Sequence, residues 1–398
     1  MTSRNDPEHP AQSSAPASPP LIAVVASKTS SLTNFRFQLL AAMRNAGHRV
    51  VALAPEIDQE VIGRLKGIGV DFIPISMGRT GVNPFADVRT LWSLWRRFHQ
   101  LKPDIVIPYT MKPIIYGLLA ARLAGVRRRF ALITGMGYVF TAPRRTPWMR
   151  ALHTLSVRLY RLGLSGAERV FVYNPSDEQE VRENRLVDDP SRIVVIPGSG
   201  VDLEHFAPAE PPREGLTFLL VARLLADKGI HEYVEAARRL RQRFPKVRCQ
   251  LLGPFDSNPA GIPRSLVEAW AAEGVVEYLG ETSDVRPFLN RASVFVLPSY
   301  REGIPRSTQE AMALGRAIIT TDAPGCRETV IDGVNGWLVP TRDPQKLAEA
   351  METFATDPGL VTAMGRKSRE LASERFDVHA INRVLLGYLG LEPPQLKK

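Results

Sequence analysis

The sequence predicts an α/β protein made of two Rossmann-like β/α/β domains that face a central cleft. Three observations predict it. Short apolar runs of four to six residues alternate with amphipathic stretches, the pattern of buried parallel strands joined by helices. The alternation runs twice, and a proline-rich break at 207–212 separates the two series. The 398 residues suffice for two domain cores, and 44% hydrophobic with 23% charged residues is ordinary for a soluble globular chain.

In the first series, 21–26 is a continuous apolar run and reads as a strand. A helix over 34–45 stops before Gly47, a residue suited to the left-handed position after a helix. Strand 50–53, helix 58–67, strand 71–75, helix 87–100, strand 105–108, helix 114–124 and strand 129–133 follow, and strands 170–173 and 193–196 close the series. In the second series the strands are 217–221, 249–252, 275–279, 294–297, 317–320 and 336–339, with helices between them. Residues 377–389 read as an amphipathic helix. The expected units are a disordered tail at 1–20, a first domain at 21–206, a second at 207–376, and a terminal helix and tail at 377–398. Rich in Pro, Ser and Ala, the first twenty residues lack the apolar run of a signal peptide. No uncharged apolar stretch of about 18 residues is present, so no membrane span is expected; even the run at 114–121 is cut by Arg122.

Cys249 and Cys326 are the two cysteines, which indicates no disulfide framework and a reducing compartment. Lys and Arg number 51 against 41 acidic residues, a net +10 that favours anionic partners. No nucleic-acid-binding motif accompanies that charge, so nucleic acid is not an expected partner. Neither an Asp-x-Asp nor a His, Cys and carboxylate cluster at metal spacing occurs, so no metal and no cofactor is expected.

The strongest chemical signal is Leu297-Pro298-Ser299-Tyr300-Arg301-Glu302-Gly303-Ile304-Pro305-Arg306-Ser307-Thr308-Gln309-Glu310. Glu302 follows the strand 294–297, and Glu310 comes eight positions later on a helix expected to start near Pro305. Gly303 permits a tight turn and close approach of a ligand to the backbone. The helix start offers unpaired N–H groups to a phosphate. Upstream, the strand 217–221 runs into Arg223-Leu224-Leu225-Ala226-Asp227-Lys228-Gly229. An Arg and a Lys at the carboxyl end of a strand lie where open α/β sheets bind ligands, and both suit phosphate oxygens. The plain alternative for each charge is solvated surface. With one carboxylate at the loop and one along the helix, an extended ligand with hydroxyls on both sides of a diphosphate would be gripped at two points, and a nucleotide sugar has that shape.

Four further segments draw notice. Ser31 and Asn34 sit where 27–34 leads from the first strand into a helix, placed to cap it or to meet a ligand. Lys112 follows strand 105–108, and Thr134 and Gly135 follow strand 129–133, so both loops open on the cleft. The stretch 144–162 mixes Arg with Trp, Leu and Tyr at near-helical spacing, as in a helix that lies on an anionic membrane.

In their order along the chain these motifs resemble the family 4 retaining glycosyltransferases, which have the GT-B fold. The donor-site elements are Arg223…Lys228-Gly229 and Glu302-Gly303-x-Pro305…Glu310. Val195-Ile196-Pro197-Gly198-Ser199-Gly200-Val201-Asp202 resembles the segment leading into the family's second domain. Ala323-Pro324-Gly325-Cys326-Arg327-Glu328 and Gly333-Val334-Asn335-Gly336-Trp337 resemble that domain's tail, and the similarity spans roughly 21–390. Asn34-Phe35-Arg36, Lys112-Pro113 and Gly325-Cys326-Arg327-Glu328 look most like the subgroup that extends saccharides on undecaprenyl diphosphate.

The resemblance implies a UDP-sugar donor, a polyprenyl-diphosphate-linked acceptor, no metal, and a C-terminal helix crossing back to the first domain. It implies that Glu302 holds hydroxyls of the transferred sugar and Glu310 those of the ribose. Gly303, Ile304 and Pro305 would line the donor site, with Arg223 and Lys228 at the departing diphosphate. Ser31, Asn34, Lys112, Thr134 and Gly135 are the acceptor-side candidates. Many members carry Gly-Gly in the first loop and a His in the loop of Thr134 and Gly135; this chain has neither. The expected place is the cytoplasm, peripheral on the inner face of the membrane. Rival readings are a nucleotide-sugar 2-epimerase of the same architecture, which needs acid/base residues in the cleft, and a basic non-enzymatic scaffold.

Overall fold

Residues 19–78, 83–136, 146–212, 214–256, 258 and 260–392 are described by the structure, a computed structural model. Nearly all of the expected N-terminal tail lies outside them, as do Gly137, Tyr138, Arg144, Arg145 and 393–398.

The first half forms strands β1 (Leu21–Val25), β2 (Arg49–Ala54), β3 (Asp71–Pro74), β4 (Ile105–Pro108), β5 (Arg128–Ile133), β6 (Arg169–Val172) and β7 (Ile193–Val195). They make one parallel sheet in the order β3-β2-β1-β4-β5-β6-β7. The second half forms β8 (Thr217–Val221), β9 (Arg248–Leu252), β10 (Glu277–Tyr278), β11 (Val294–Leu297), β12 (Ala317–Thr321) and β13 (Gly336–Val339). Their order is β10-β9-β8-β11-β12-β13, again parallel. Both sheets therefore reverse direction once, between β1 and β4 and between β8 and β11. A crevice opens beyond the carboxyl ends of the strands at such a switch point. The central strands are buried on both faces, Val24, Ile107, Leu219 and Phe295 among them, which explains their unbroken apolar runs.

The terminal helix Val378–Leu389 returns to the first domain, where Leu385, Leu386 and Leu389 join the core of Ile22, Leu40 and Ala52. The seam is a short parallel bridge in which Val201 N donates to Phe376 O at 2.8 Å and Val378 N to Val201 O at 3.1 Å. Among the described residues no helix is long and apolar enough to cross a membrane.

The structure departs from the expected elements at four points. The helix expected over 34–45 is two helices, Ser30–Phe35 and Phe37–Asn45, broken at Arg36 (φ −123°, ψ −3°). The helix expected over 114–124 opens as a π-helical turn, Pro113–Gly117, a distortion common near functional sites. Asn83 caps the helix Pro84–Leu101 by accepting from Phe85 N and Ala86 N, so it starts three residues early. Pro305 is not the first helical residue: it is extended (φ −70°, ψ 120°) and precedes the helix Arg306–Ala313.

Candidate active site

Adjacency of β8 and β11 brings the two strongest sequence signals together. The loop after β8 carries Lys228 and the loop after β11 carries Glu302. Lys228 Nζ donates to Glu302 Oε1 at 2.6 Å, and both side chains are largely buried. Ser299 Oγ donates to the same carboxylate oxygen at 2.8 Å. Burial disfavours the Lys228 ammonium, but Glu302 beside it, with Asp227, outweighs that penalty, and the lysine is held above its ordinary range. Tyr300 N donates to Asp227 O at 2.9 Å, so main chain also ties the two loops.

Gly303 is the point at which the domains meet. A Cβ on it would stand 2.4 Å from Thr134 O and 3.2 Å from the Tyr173 ring, so only glycine fits. On the other side, a Cβ on Gly325 would stand 2.1 Å from Glu302 O, and Glu302 N donates to Pro324 O at 2.9 Å. The Glu302-Gly303 peptide is thus clamped between its own domain and the loop of Thr134 and Gly135. Asn174, which caps the helix Pro175–Glu183, donates from Nδ2 to Gly303 O at 2.7 Å. Arg301 reaches the same first-domain helix, with Nη2 at 2.6 Å from both Asp177 and Glu180.

Sequence reasoning did not single out Asn174, Asp177 or Arg301. Asn174-Pro175 directly after a strand is a helix-start signature that would have found the first two. Asp177 is fully buried; burial raises its pKa against the opposing effect of Arg301. Arg301→Met is expected to destabilise the protein by about 3 kcal/mol at neutral pH, because a buried carboxylate loses a partner. With its folded pKa raised further, Asp177 binds a proton more readily folded than unfolded, so the deficit shrinks as pH falls. Unfolding midpoints of both proteins at neutral and mildly acid pH test this; a deficit unchanged by pH would place its origin elsewhere.

On the first-domain side, adjacency of β1 and β4 joins the next pair of loops. Ser31 Oγ and Tyr109 Oη share a hydrogen bond of 2.7 Å, and Ser27 Oγ and Thr110 Oγ1 one of 2.9 Å. Thr110 has φ +67°, an uncommon conformation for a β-branched residue. Arg36, 4% exposed, donates to Tyr173 Oη and lies 4.8 Å from the Tyr109 ring centroid, and its Nε has no partner. Burial lifts Tyr109 to about 12 against the pull of Arg36. A chain of contacts runs from Ser31 through Tyr109, Arg36 and Tyr173 to Gly303.

Three of the other sequence candidates have a counter-ion in the structure. Arg223 is exposed and paired with Asp256 at 2.7 Å, and Lys112 is paired with Asp87 at 2.9 Å. Glu310 is held by Arg306 Nε at 2.8 Å; burial raises its pKa and Arg306 opposes the rise. Ile304 packs beside Gly198 at the entry to the second domain, and Asn34 is exposed.

Two facing Rossmann-like domains, with this loop cluster at the switch points between them, define the GT-B class of transferases. The family model "Glycosyl transferase 4-like domain" matches residues 35–199 and "Glycosyl transferases group 1" matches 202–371. The chain belongs to this glycosyltransferase family, as its motifs led one to expect. It is 28% identical over 345 residues, 83% of this chain and 88% of the other, to the N,N'-diacetylbacillosaminyl-diphospho-undecaprenol alpha-1,3-N-acetylgalactosaminyltransferase of Campylobacter jejuni. To the UDP-Gal:alpha-D-GlcNAc-diphosphoundecaprenol alpha-1,3-galactosyltransferase of Escherichia coli it is 26% identical, over 73% of this chain and 76% of the other. The crystal structure of Anabaena Alr3699/HepE in complex with UDP-glucose superposes with a TM-score of 0.75, covering 93% of this chain and 99% of that one at 18% identity.

Proposed function

We propose that this glycosyltransferase moves a hexose or N-acetylhexosamine from a UDP-sugar to a polyprenyl-diphosphate-linked saccharide, with retention at the anomeric carbon and without a metal ion or other cofactor. The observation that carries the reading is the buried Lys228–Glu302 pair at the meeting point of the two domains. In the transfer, the bond between C1 of the sugar and the diphosphate oxygen breaks. The acceptor oxygen bonds to C1 on the same face, and its proton passes to the departing phosphate. Negative charge grows on that phosphate, and Lys228 with the N–H groups at the start of Arg306–Ala313 is placed to stabilise it. Glu302, released from Lys228 as the phosphate takes the ammonium, accepts hydroxyls of the sugar. Glu310 exchanges Arg306 for the ribose hydroxyls. The relatives support this reading, since both names describe transfer to a saccharide on undecaprenyl diphosphate, one of them from UDP-galactose. Such an acceptor places the work at the inner face of the cytoplasmic membrane, with the protein attached peripherally and nucleic acid not among its partners.

Thermal unfolding with UDP, GDP or ADP tests the donor site. A ligand at a hundred times its dissociation constant adds about 2.7 kcal/mol, a rise of several degrees. The expected result is stabilisation by UDP alone, lost in Glu310→Ala. No shift with UDP, or an equal shift in the variant, would overturn the assignment.

A further inference from the structure

We propose that Arg306 is a donor-binding residue that takes the α-phosphate of the nucleotide, and that it is stored on Glu310 until the ribose claims that carboxylate. The inference rests on the donor site proposed above and adds to it a ligand group and an order of contacts.

Arg306 is poorly placed for the helix it begins. It is the first residue of Arg306–Ala313, where the partial positive charge of a helix start disfavours a cation. Its pair with Glu310, Nε to Oε1 at 2.8 Å, runs with the cation before the carboxylate, the weaker of the two orders at a spacing of four. Helix stability therefore does not account for an arginine here. An anion bound at the helix start would.

Spacing says which anion. Residues four apart share one helix face, and Arg306 lies one turn, about 5.4 Å, nearer to Gly303 than Glu310 does. In the proposed site Glu310 holds the ribose, and Glu302, four residues before Arg306, holds the transferred sugar. The diphosphate joins those two rings, so the arginine stands beside it on the ribose side, at the α-phosphate. Its guanidinium also faces the space between the domains: it lies 5.9 Å from the ring centroid of Phe35, a first-domain residue 43% exposed. The bond to Glu310 uses Nε and leaves Nη1 and Nη2 without a hydrogen-bond partner among the described residues. Those are the donors with which a guanidinium grips phosphate oxygens.

The neighbouring cation follows the same plan. Lys228 is stored on Glu302 as Arg306 is on Glu310. A nucleotide sugar brings hydroxyls to both carboxylates and phosphates to both cations, so one ligand parts both pairs and leaves no charge unmatched. Arg301 has no such freedom, since Asp177 and Glu180 hold it. Uridine alone offers Glu310 its ribose and gives Arg306 no anion. The first phosphate added to the nucleoside is therefore the one that Arg306 recognises.

The experiment is calorimetric titration of the full chain, wild type and Arg306→Gln, with uridine, UMP and UDP, the weakest ligand being read by competition with UDP. The readout is the ratio of UMP affinity to uridine affinity, in which any change at Glu310 common to both ligands cancels. Arg306→Gln is expected to lower that ratio about tenfold or more, the usual worth of hydrogen bonds to a charged group. The further gain from UMP to UDP is expected to survive, because Lys228 serves the second phosphate. Arg306→Lys keeps a cation on Glu310 and loses the planar fork, and a fall of about threefold is expected from it. A ratio unchanged in Arg306→Gln, or in Arg306→Lys should the first variant not fold, would leave Arg306 only the task of holding Glu310 and overturn the inference. A loss confined to the step from UMP to UDP would overturn it as well. Wild type that binds none of the three ligands would instead defeat the donor-site reading on which the inference stands.

Discussion

Lys228→Met is expected to lower turnover roughly a hundredfold to a thousandfold, the usual cost of losing one preorganised group aimed at developing negative charge. Methionine keeps the length of the side chain and removes the ammonium. The effect belongs in turnover at saturating donor more than in donor affinity, because charge on the leaving phosphate is greatest in the transition state. The substitution has a second consequence. Glu302 sits largely buried with only Ser299 Oγ left as a partner, and an uncompensated buried carboxylate costs about 3–5 kcal/mol. Lower activity could then reflect a displaced Glu302. The double variant Lys228→Met/Glu302→Gln, compared with Glu302→Gln alone, separates the two effects: it removes both charges, is expected to regain most of the stability, and is expected to turn over far more slowly than Glu302→Gln. Equal turnover of the double variant and Glu302→Gln would show that Lys228 serves only to hold Glu302.

Gly303→Ala is the second large effect, about a hundredfold in turnover, argued from space rather than charge. The new methyl would lie 2.4 Å from Thr134 O, well inside contact distance, and backbone on both sides leaves little room to move. Thr134 belongs to the first domain, so the least costly relief is separation of the domains by about an ångström. A displacement of that size at a reacting centre typically costs two orders of magnitude. UDP is gripped by second-domain residues in the proposed function, so its thermal shift should survive. The measurement is turnover and UDP stabilisation on the same protein. Normal turnover would mean that the closed arrangement of Thr134 against Gly303 is not the reacting one, and loss of the UDP shift would move the defect into the second domain.

Much of this was legible in the sequence because it depends on short-range patterns. Apolar runs at 105–108, 217–221 and 294–297 coincide with strands, since a parallel strand covered on both faces has no other way to be written. Glu302 and Lys228 were recognisable as a pair of motifs, and adjacency of β8 and β11 follows from doubly wound topology. Harder to read were features with a long-range cause. Arg36 breaks a helix whose sequence runs on without a Gly or Pro, and its guanidinium reaches Tyr173 across 137 positions. Arg301 looks like surface charge until the helix Pro175–Glu183 is brought against it.

The sequence by itself determined the two-domain α/β class, the family, the net positive charge and which loops carry chemistry, because each is a property of composition, periodicity or local spacing. Only the tertiary structure decided which distant ions pair: Lys228 with Glu302, Arg223 with Asp256 and Lys112 with Asp87. It also decided that Gly303 is a contact between the domains. The physical reason is range. Helix and strand patterns repeat every two to four residues and stay visible in one dimension. A salt bridge or a close backbone approach depends on distances of a few ångströms between groups tens to hundreds of residues apart, which exist only once the chain has folded.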